Sequence, residues 1–186
     1  MRPQLLLAAA AAALAFPIAA FADTGDAALD AFQSVCANTG GTYVNVLKAA
    51  DGSGWSETQV VPETDAAVSI TDQAAREKVV NGATLTLLVN RGLRHTKGGD
   101  ISQSTCKISF NKPDAGVLDR AKTWIGVAPD GGDATLSVYY VKGGGGAPQH
   151  LVSSQLNDAM AAGGFSIIKV QQNNDSAILV YLGYAK

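Results

Sequence analysis

The sequence predicts one α+β domain, built as a mainly antiparallel sheet with helices packed on one of its faces. Apolar residues recur at helical spacing in 26–37, 41–55 and 111–129, and a serine cap with closing glycines predicts a short helix at 155–162. Elsewhere apolar and polar residues alternate, and turn sequences such as Asn81-Gly82 join the alternating runs. Helices mixed with hairpin-connected strands are typical of the α+β class.

The first 22 residues have the layout of a secretory signal peptide. Arg2 and the amino terminus form a short positive region, Leu5 to Ile18 form an apolar core, and Ala20 to Ala22 form a small-x-small cleavage site. The alternative is a membrane anchor, because the apolar stretch is barely long enough to span a bilayer. Alanine dominates this stretch, so we expect cleavage before Asp23 and export of a bacterial protein to the periplasm or the medium.

The expected mature domain, residues 23–186, is mildly acidic. It has 13 Lys and Arg against 16 Asp and Glu, which gives a net charge of −3. Nucleic-acid binding requires a clustered positive field, so we expect no nucleic-acid partner. The length suits a single domain that buries an adequate core. No second long apolar run follows the leader, so we expect no membrane span after cleavage.

The strands are predicted from alternation and from turn residues. Residues 56–75 show no clean period and contain Pro62, so we predict an irregular connection there. The run 176–185 is apolar on both faces, which predicts a central position in the sheet. The predicted strands lie on both sides of Asn81-Gly82 and in 84–90, 102–110, 134–142, 165–172 and 176–185.

The clearest predicted helix lies between Pro113 and Pro129. Proline suits the first turn of a helix, and Asp114 favours its positive N-terminal end. An apolar stripe that includes Val117, Ala121 and Ile125 predicts the face that packs on the sheet.

Cys36 and Cys106, the two cysteines, are predicted to form one disulfide. Cys36 shares a helical face with Leu29 and Phe32, and Cys106 shares a strand face with Ile108. Both side chains therefore face the core, and an oxidising compartment converts such thiol pairs. The bridge would join the N-terminal helix to a hairpin strand.

Arg91, Arg94, His95 and Lys97 are the candidate ligand-binding residues. They fall within seven positions at one end of a hairpin. Continued alternation past Val89 would place Arg91 in the core, so we expect the strand to leave the core there. A basic hairpin tip predicts a site for a phosphate or carboxylate of an anionic envelope component. The alternative interpretation is a solvated, charged turn.

No metal or cofactor is expected. His95 and His150 are far apart in the sequence, and the chain has no Cys-x-x-Cys or His-x-x-x-His pattern. The glycines of 143–146 do not belong to a Gly-x-Gly-x-x-Gly pattern, so we interpret them as a flexible connector.

Two patterns suggest catalysis, and neither is complete. Ser104 and Lys107 match Ser-x-x-Lys, but strand alternation places positions three apart on opposite faces, so we interpret this as a chance match. His150 lies close to Ser153 and Ser154, but no Gly-x-Ser-x-Gly elbow accompanies them. We therefore assign no catalytic residue.

Two classes of function stay open. The absence of a complete catalytic set favours a non-enzymatic periplasmic binding or envelope-accessory protein, whose partner is an anionic envelope component or another periplasmic protein. The alternative is a periplasmic hydrolase that uses His150 or His95 with a nearby serine.

Two segments and a later cysteine resemble small, uncharacterised exported bacterial proteins. The segments are "AFQSVCANTGG" and "VLKAADGSGW", and the cysteine is Cys106. The resemblance covers about the first half of the mature chain. It implies the order helix, helix, Trp55, strand, and it implies no activity or site.

Overall fold

The computed structural model of the protein describes residues 24–62, 64, 66–113 and 116–185. The predicted signal peptide and Asp114 lie outside these residues. Among the helices of the described ranges, none is long and apolar enough to cross a membrane.

The described chain folds into one antiparallel sheet and four α-helices. The helices are α1 Thr24–Phe32, α2 Tyr43–Gly52, α3 Val117–Ile125 and α4 Ser153–Ala162, and a π-helical turn, Gln33–Ala37, continues α1. The strands are β1 Ser56–Thr58, β2 Val68–Val80, β3 Ala83–Thr96, β4 Gly99–Asn111, β5 Gly131–Gly132, β6 Leu136–Lys142, β7 Phe165–Gln172 and β8 Ser176–Ala185. Their order in the sheet is β1-β2-β3-β4-β8-β7-β6-β5.

This architecture confirms the predicted α+β class and the predicted place of the last strand. β8 lies between β4 and β7, so both of its edges pair with neighbouring strands. At the β2–β3 turn, Asn81 and Gly82 both have left-handed backbone angles, with φ of 52° and 78°. Such angles at both central residues are those of a type I′ hairpin, which the Asn-Gly pair predicted.

Two predicted boundaries are wrong. The irregular connection predicted at 56–75 is shorter than expected, because β1 occupies Ser56–Thr58 and β2 already begins at Val68. A β-bulge between Ile70 and Asp72 shifts the register with β3, and this shift breaks the alternation that would have revealed the strand. The third helix begins at Val117 rather than near Pro113, after Gly116 with a φ of 129°.

The core lies between the sheet and three helices. α1, α2 and α3 pack on the same face of the sheet, which we call the helix-side face, and α4 contributes no buried residue. The core residues that these helices and the central strands share include Phe32, Val46, Val117, Leu87, Ile108, Leu179 and Tyr181.

The predicted disulfide is present in this core. Cys36, in the π-helical turn, is bonded to Cys106 of β4, and both residues are fully buried. Cys106 is the register partner of Val89 on one side and of Tyr181 on the other. The bridge therefore ties the end of the first helix to the centre of the sheet.

Along the strands, the helix-side face changes from buried and apolar to exposed and polar. The row that contains Val89, Cys106 and Tyr181 is buried. Two residues further along β3 the next row begins with Arg91, whose partner across the ladder is Ser104. β3 leaves the core after Val89, as predicted, because Arg91 is exposed, but it stays in the sheet and continues to Thr96. The helix-side face is exposed from Arg91 onwards, so the strand can carry polar side chains there.

Candidate functional site

A cleft with a volume of about 490 Å³ lies over this polar part of the helix-side face. Its floor is one row of the sheet, with Arg91, Ser104, Gly183 and Ser166 as successive register partners. Its walls are the first turn of α2 and the glycines of the loop 143–145. We call this space the cleft.

Close packing requires glycine at one position of the loop wall and leaves little room for a side chain at one position of the floor. A Cβ atom on Gly145 would lie 2.2 Å from the carbonyl oxygen of Asn38, and one on Gly183 would lie 2.9 Å from the Oγ of Ser104. The Tyr181 hydroxyl donates a hydrogen bond to the carbonyl oxygen of Gly144 over 3.2 Å. The glycine-rich segment that we interpreted as a connector is therefore one wall of the cleft.

The first turn of α2 presents its backbone to the cleft. Thr42 is the N-cap residue, and its side chain makes no capping hydrogen bond. Tyr43, Val44 and Asn45, the first three helical residues, line the cleft. The leading N–H groups of a helix have no intrahelical acceptor, and they carry a partial positive charge. This wall therefore favours a negative group.

Arg91 brings a full positive charge to the floor of the cleft. Its Nε lies 2.6 Å from Oδ2 of Asp72, and its guanidinium lies 5.3 Å from the centre of the Tyr43 ring. The hydrogen bond from Arg91 holds the pKa of Asp72 below its ordinary value, and the same pairing raises the pKa of Arg91. Within the described ranges, the Nη atoms of Arg91 donate to no protein acceptor. Those donors are available to a ligand.

The four predicted binding residues do not share one cavity. Arg91 and His95 lie on the helix-side face, and Lys97 is exposed in the turn between β3 and β4. Arg94 lies on the opposite face, where its Nε donates to Oε1 of Gln103, and it lines a second cavity of about 410 Å³. Alternation along β3 separates the two arginines, because they are an odd number of positions apart.

His95 belongs to a second polar arrangement on the helix-side face. Its Nδ1 lies 2.8 Å from Oδ1 of Asp100, and its Nε2 lies 2.8 Å from Oγ of Ser69. The sequence indicated a nearby serine as the partner of His95 but did not identify Ser69, which fell in the region predicted to be irregular. Only the pairing of β2, β3 and β4 brings the three side chains together.

His150 has a structural partner instead. Its Nε2 lies 2.8 Å from Oδ1 of Asp130, and Oδ2 of that aspartate accepts the backbone N–H of Tyr140 over 2.8 Å. Through these two contacts Asp130, in the segment before β5, is held to the strand β6 and to His150. In the described structure, neither Ser153 nor Ser154 forms a hydrogen bond with His150.

Comparison with known proteins gives no relative from which a function could be transferred. The chain matches no protein-family model, no curated protein and no solved structure. Across the residues that the structure describes, no three His, Cys, Asp or Glu side chains are grouped as a metal site requires.

Proposed function

We propose that this protein is an exported binding module whose cleft holds a small molecule, or the end of a polymer, through a carboxylate or phosphate group. The observation that supports this most directly is the position of Arg91. Its guanidinium faces the same cleft as the uncapped first turn of α2. Two independent sources of positive potential therefore converge on one space.

The size of the cleft supports a ligand larger than a bare ion. Small-molecule sites in proteins have volumes of roughly 300–1,000 Å³, and the cleft falls within that range. The Tyr43 ring and the Val44 side chain, which is 64% exposed, offer apolar surface beside the charge. The hydroxyl groups of Ser104 and Thr42 offer hydrogen bonds to a sugar or a similar polar body.

Asp72 sets the strength of the interaction. It already occupies the Nε of Arg91, so a ligand meets a guanidinium that is partly neutralised. A hydrogen bond to a charged group contributes about 1.5–3 kcal/mol, which corresponds to roughly 10- to 100-fold in affinity. We therefore expect weak, salt-sensitive binding of small anions and tighter binding of anionic ligands that also fill the cleft.

The disulfide in the core and the predicted leader support a periplasmic or secreted location. In that compartment an anionic envelope component, such as a phosphorylated or carboxylated sugar, is a ligand of suitable chemistry. The single observation that carries the proposal is independent of location, so it can be tested with purified protein.

The test compares the binding of glucose 6-phosphate with that of glucose, by calorimetry or by chemical-shift mapping. We expect wild type to bind the phosphate and not the neutral sugar. Arg91→Ala should lower the affinity for glucose 6-phosphate at least 10-fold, and Asp72→Asn should raise it. Arg94→Ala is the matched control, because it removes a charge from the same strand on the other face.

Three results would contradict the proposal. The first is equal binding of the phosphate and of glucose by wild type, and the second is the absence of binding to both. The third is an effect of Arg94→Ala as large as that of Arg91→Ala, because the cleft would then not be the site.

A further inference from the structure

We propose that Ser69, His95 and Asp100 form a nucleophilic site that transfers the acyl group of activated carboxylic esters. The three residues lie on adjacent strands, β2, β3 and β4. His95 bridges the other two with contacts of 2.8 Å on each side of its ring. A serine, an imidazole and a carboxylate in this order have the arrangement that activates a serine hydroxyl.

The proposed mechanism uses the neutral imidazole of His95 with its ring proton on Nδ1, the nitrogen that faces Asp100. An ionised carboxylate only accepts hydrogen bonds, so Nδ1 of the neutral imidazole donates to Asp100. Nε2 is then unprotonated and accepts a hydrogen bond from the hydroxyl group of Ser69. This is the tautomer in which His95 can act as a general base towards that serine.

The sheet holds the three groups in place. His95 and Asp100 are register partners close to the two-residue turn that joins β3 and β4. The backbone N–H of His95 donates to the carbonyl oxygen of Ala67 over 3.0 Å, which anchors β3 to the chain before β2. The bulge after Ile70 lets Ser69 remain on the helix-side face while β2 continues beside β3.

The proposed reaction has two balanced steps. First, Oγ of Ser69 attacks the ester carbonyl carbon while its proton passes to Nε2 of His95. The C–O bond to the leaving alcohol then breaks, the alcohol takes that proton, and the acyl group stays on Ser69. Second, His95 takes a proton from water, the hydroxide attacks the acyl carbon, and the carboxylic acid leaves as Ser69 regains its proton. No oxidant, reductant or metal is required.

The surroundings of the site indicate the class of ester. Asp100 and His95 are each 51% exposed, so water weakens the support that the carboxylate gives to a charged imidazole. The leaving group must therefore be an acidic alcohol or a phenol, which needs little help from a proton donor. Leu93, the register partner of Ser69, is 43% exposed and gives a short acyl chain an apolar surface.

The experiment uses the purified full chain, a serine-directed fluorophosphonate and p-nitrophenyl acetate. We expect the fluorophosphonate to label Ser69 in wild type, as located by peptide mass spectrometry, and we expect ester hydrolysis above the buffer rate. Ser69→Ala should abolish both. His95→Gln should lower the labelling rate by roughly 100-fold, the smaller effect expected for loss of a general base.

Ser102→Ala is the matched control. Leu93 pairs with Ser69 of β2 on one side and with Ser102 of β4 on the other. Ser102 is therefore an exposed serine beside the same leucine, and in the described structure it forms no hydrogen bond with His95. We expect this variant to be labelled at Ser69 as fast as wild type. Circular dichroism confirms that each variant is folded. Absence of labelling in wild type, equal labelling of Ser102 and Ser69, or wild-type hydrolysis by folded Ser69→Ala would overturn the proposal.

Discussion

Gly92 packs directly against the backbone of Ser69, so that a Cβ atom on Gly92 would lie 2.3 Å from the carbonyl oxygen of Ser69. This contact occurs at the bulge of β2, where the register shifts between Ile70 and Asp72. In a regular strand, residues 69 and 72 would point to opposite faces. The bulge restores both to the helix-side face, where Ser69 meets His95 and Asp72 meets the arginine of the cleft.

We predict that Gly92→Ala destabilises the fold by about 1–3 kcal/mol, the usual cost of forcing an added methyl group into a packed region. The nearest atoms belong to the backbone, so no side chain can rotate away. Gly98→Ala is the control, because its Cβ would meet only Oγ1 of Thr96 at 3.8 Å. Urea unfolding measures both variants. Equal midpoints for the two would contradict the close approach at the bulge.

The same bulge explains what the sequence could and could not predict. The hairpin at Asn81-Gly82 and the disulfide pair follow from local patterns, since a turn type and a shared apolar face need only neighbouring residues. The strand at Val68 was missed because an inserted residue breaks the period of two. A bulge is defined by the pairing of two strands, and here the residue that makes room for it, Gly92, lies on β3. The sequence of β2 alone therefore does not predict the bulge.

The candidate sites were predictable only in part. Arg91 and His95 were identified by their position in a basic segment. Neighbouring residues of a strand point to opposite faces, however, so closeness in the sequence did not show which basic residues share a site. Alternation separated Arg94 from both of them. Conversely, Ser69 and Asp72 come from a strand whose alternation is broken by the bulge, and only its antiparallel pairing with β3 brings them to these partners.

The disulfide should contribute strongly to stability. Cys36 and Cys106 are separated by 70 positions, and closing a loop of that length stabilises a fold by about 4 kcal/mol on the chain-entropy model. We expect the variant with both Cys36→Ala and Cys106→Ala to unfold at a clearly lower urea concentration than wild type. Reduced wild type should behave similarly. A variant whose midpoint is unchanged would show that the bridge adds nothing to the stability of the packed core.

The pair Asp72–Arg91 should give stability a measurable dependence on pH. The pKa of Asp72 is lowered in the folded protein, chiefly by its hydrogen bond from Arg91, relative to an ordinary value of 3.8. The pair therefore stabilises the fold above about pH 4, and this contribution is lost as the pH falls through the lowered pKa. The pair is exposed, so the effect is small and sensitive to salt.

Carboxyl NMR titration tests this assignment. We expect Arg91→Gln to raise the pKa of Asp72 towards its ordinary value. Asp133 serves as an internal control, because its pKa is lowered by hydrogen bonds from Thr135 and not by an arginine. If Asp72 titrates identically in both proteins, or if Asp133 shifts equally, the ion pair is not the cause.

The glycine wall of the cleft yields the last prediction. A Cβ atom on Gly145 would lie 2.2 Å from the carbonyl oxygen of Asn38, so Gly145→Ala must push the loop away from the connection between α1 and α2. Gly145 is exposed, and the displaced loop can move into solvent without opening the core. We therefore expect weaker binding of glucose 6-phosphate, because the wall moves away from the first turn of α2, together with only a small change in the unfolding midpoint.

Gly131→Ala is the control, since a Cβ atom there meets no atom within 4 Å. Calorimetry and urea unfolding of the two variants separate the effects. A large loss of stability in Gly145→Ala would mean that the contact with Asn38 supports the fold, and unchanged binding would mean that the loop is not part of the site.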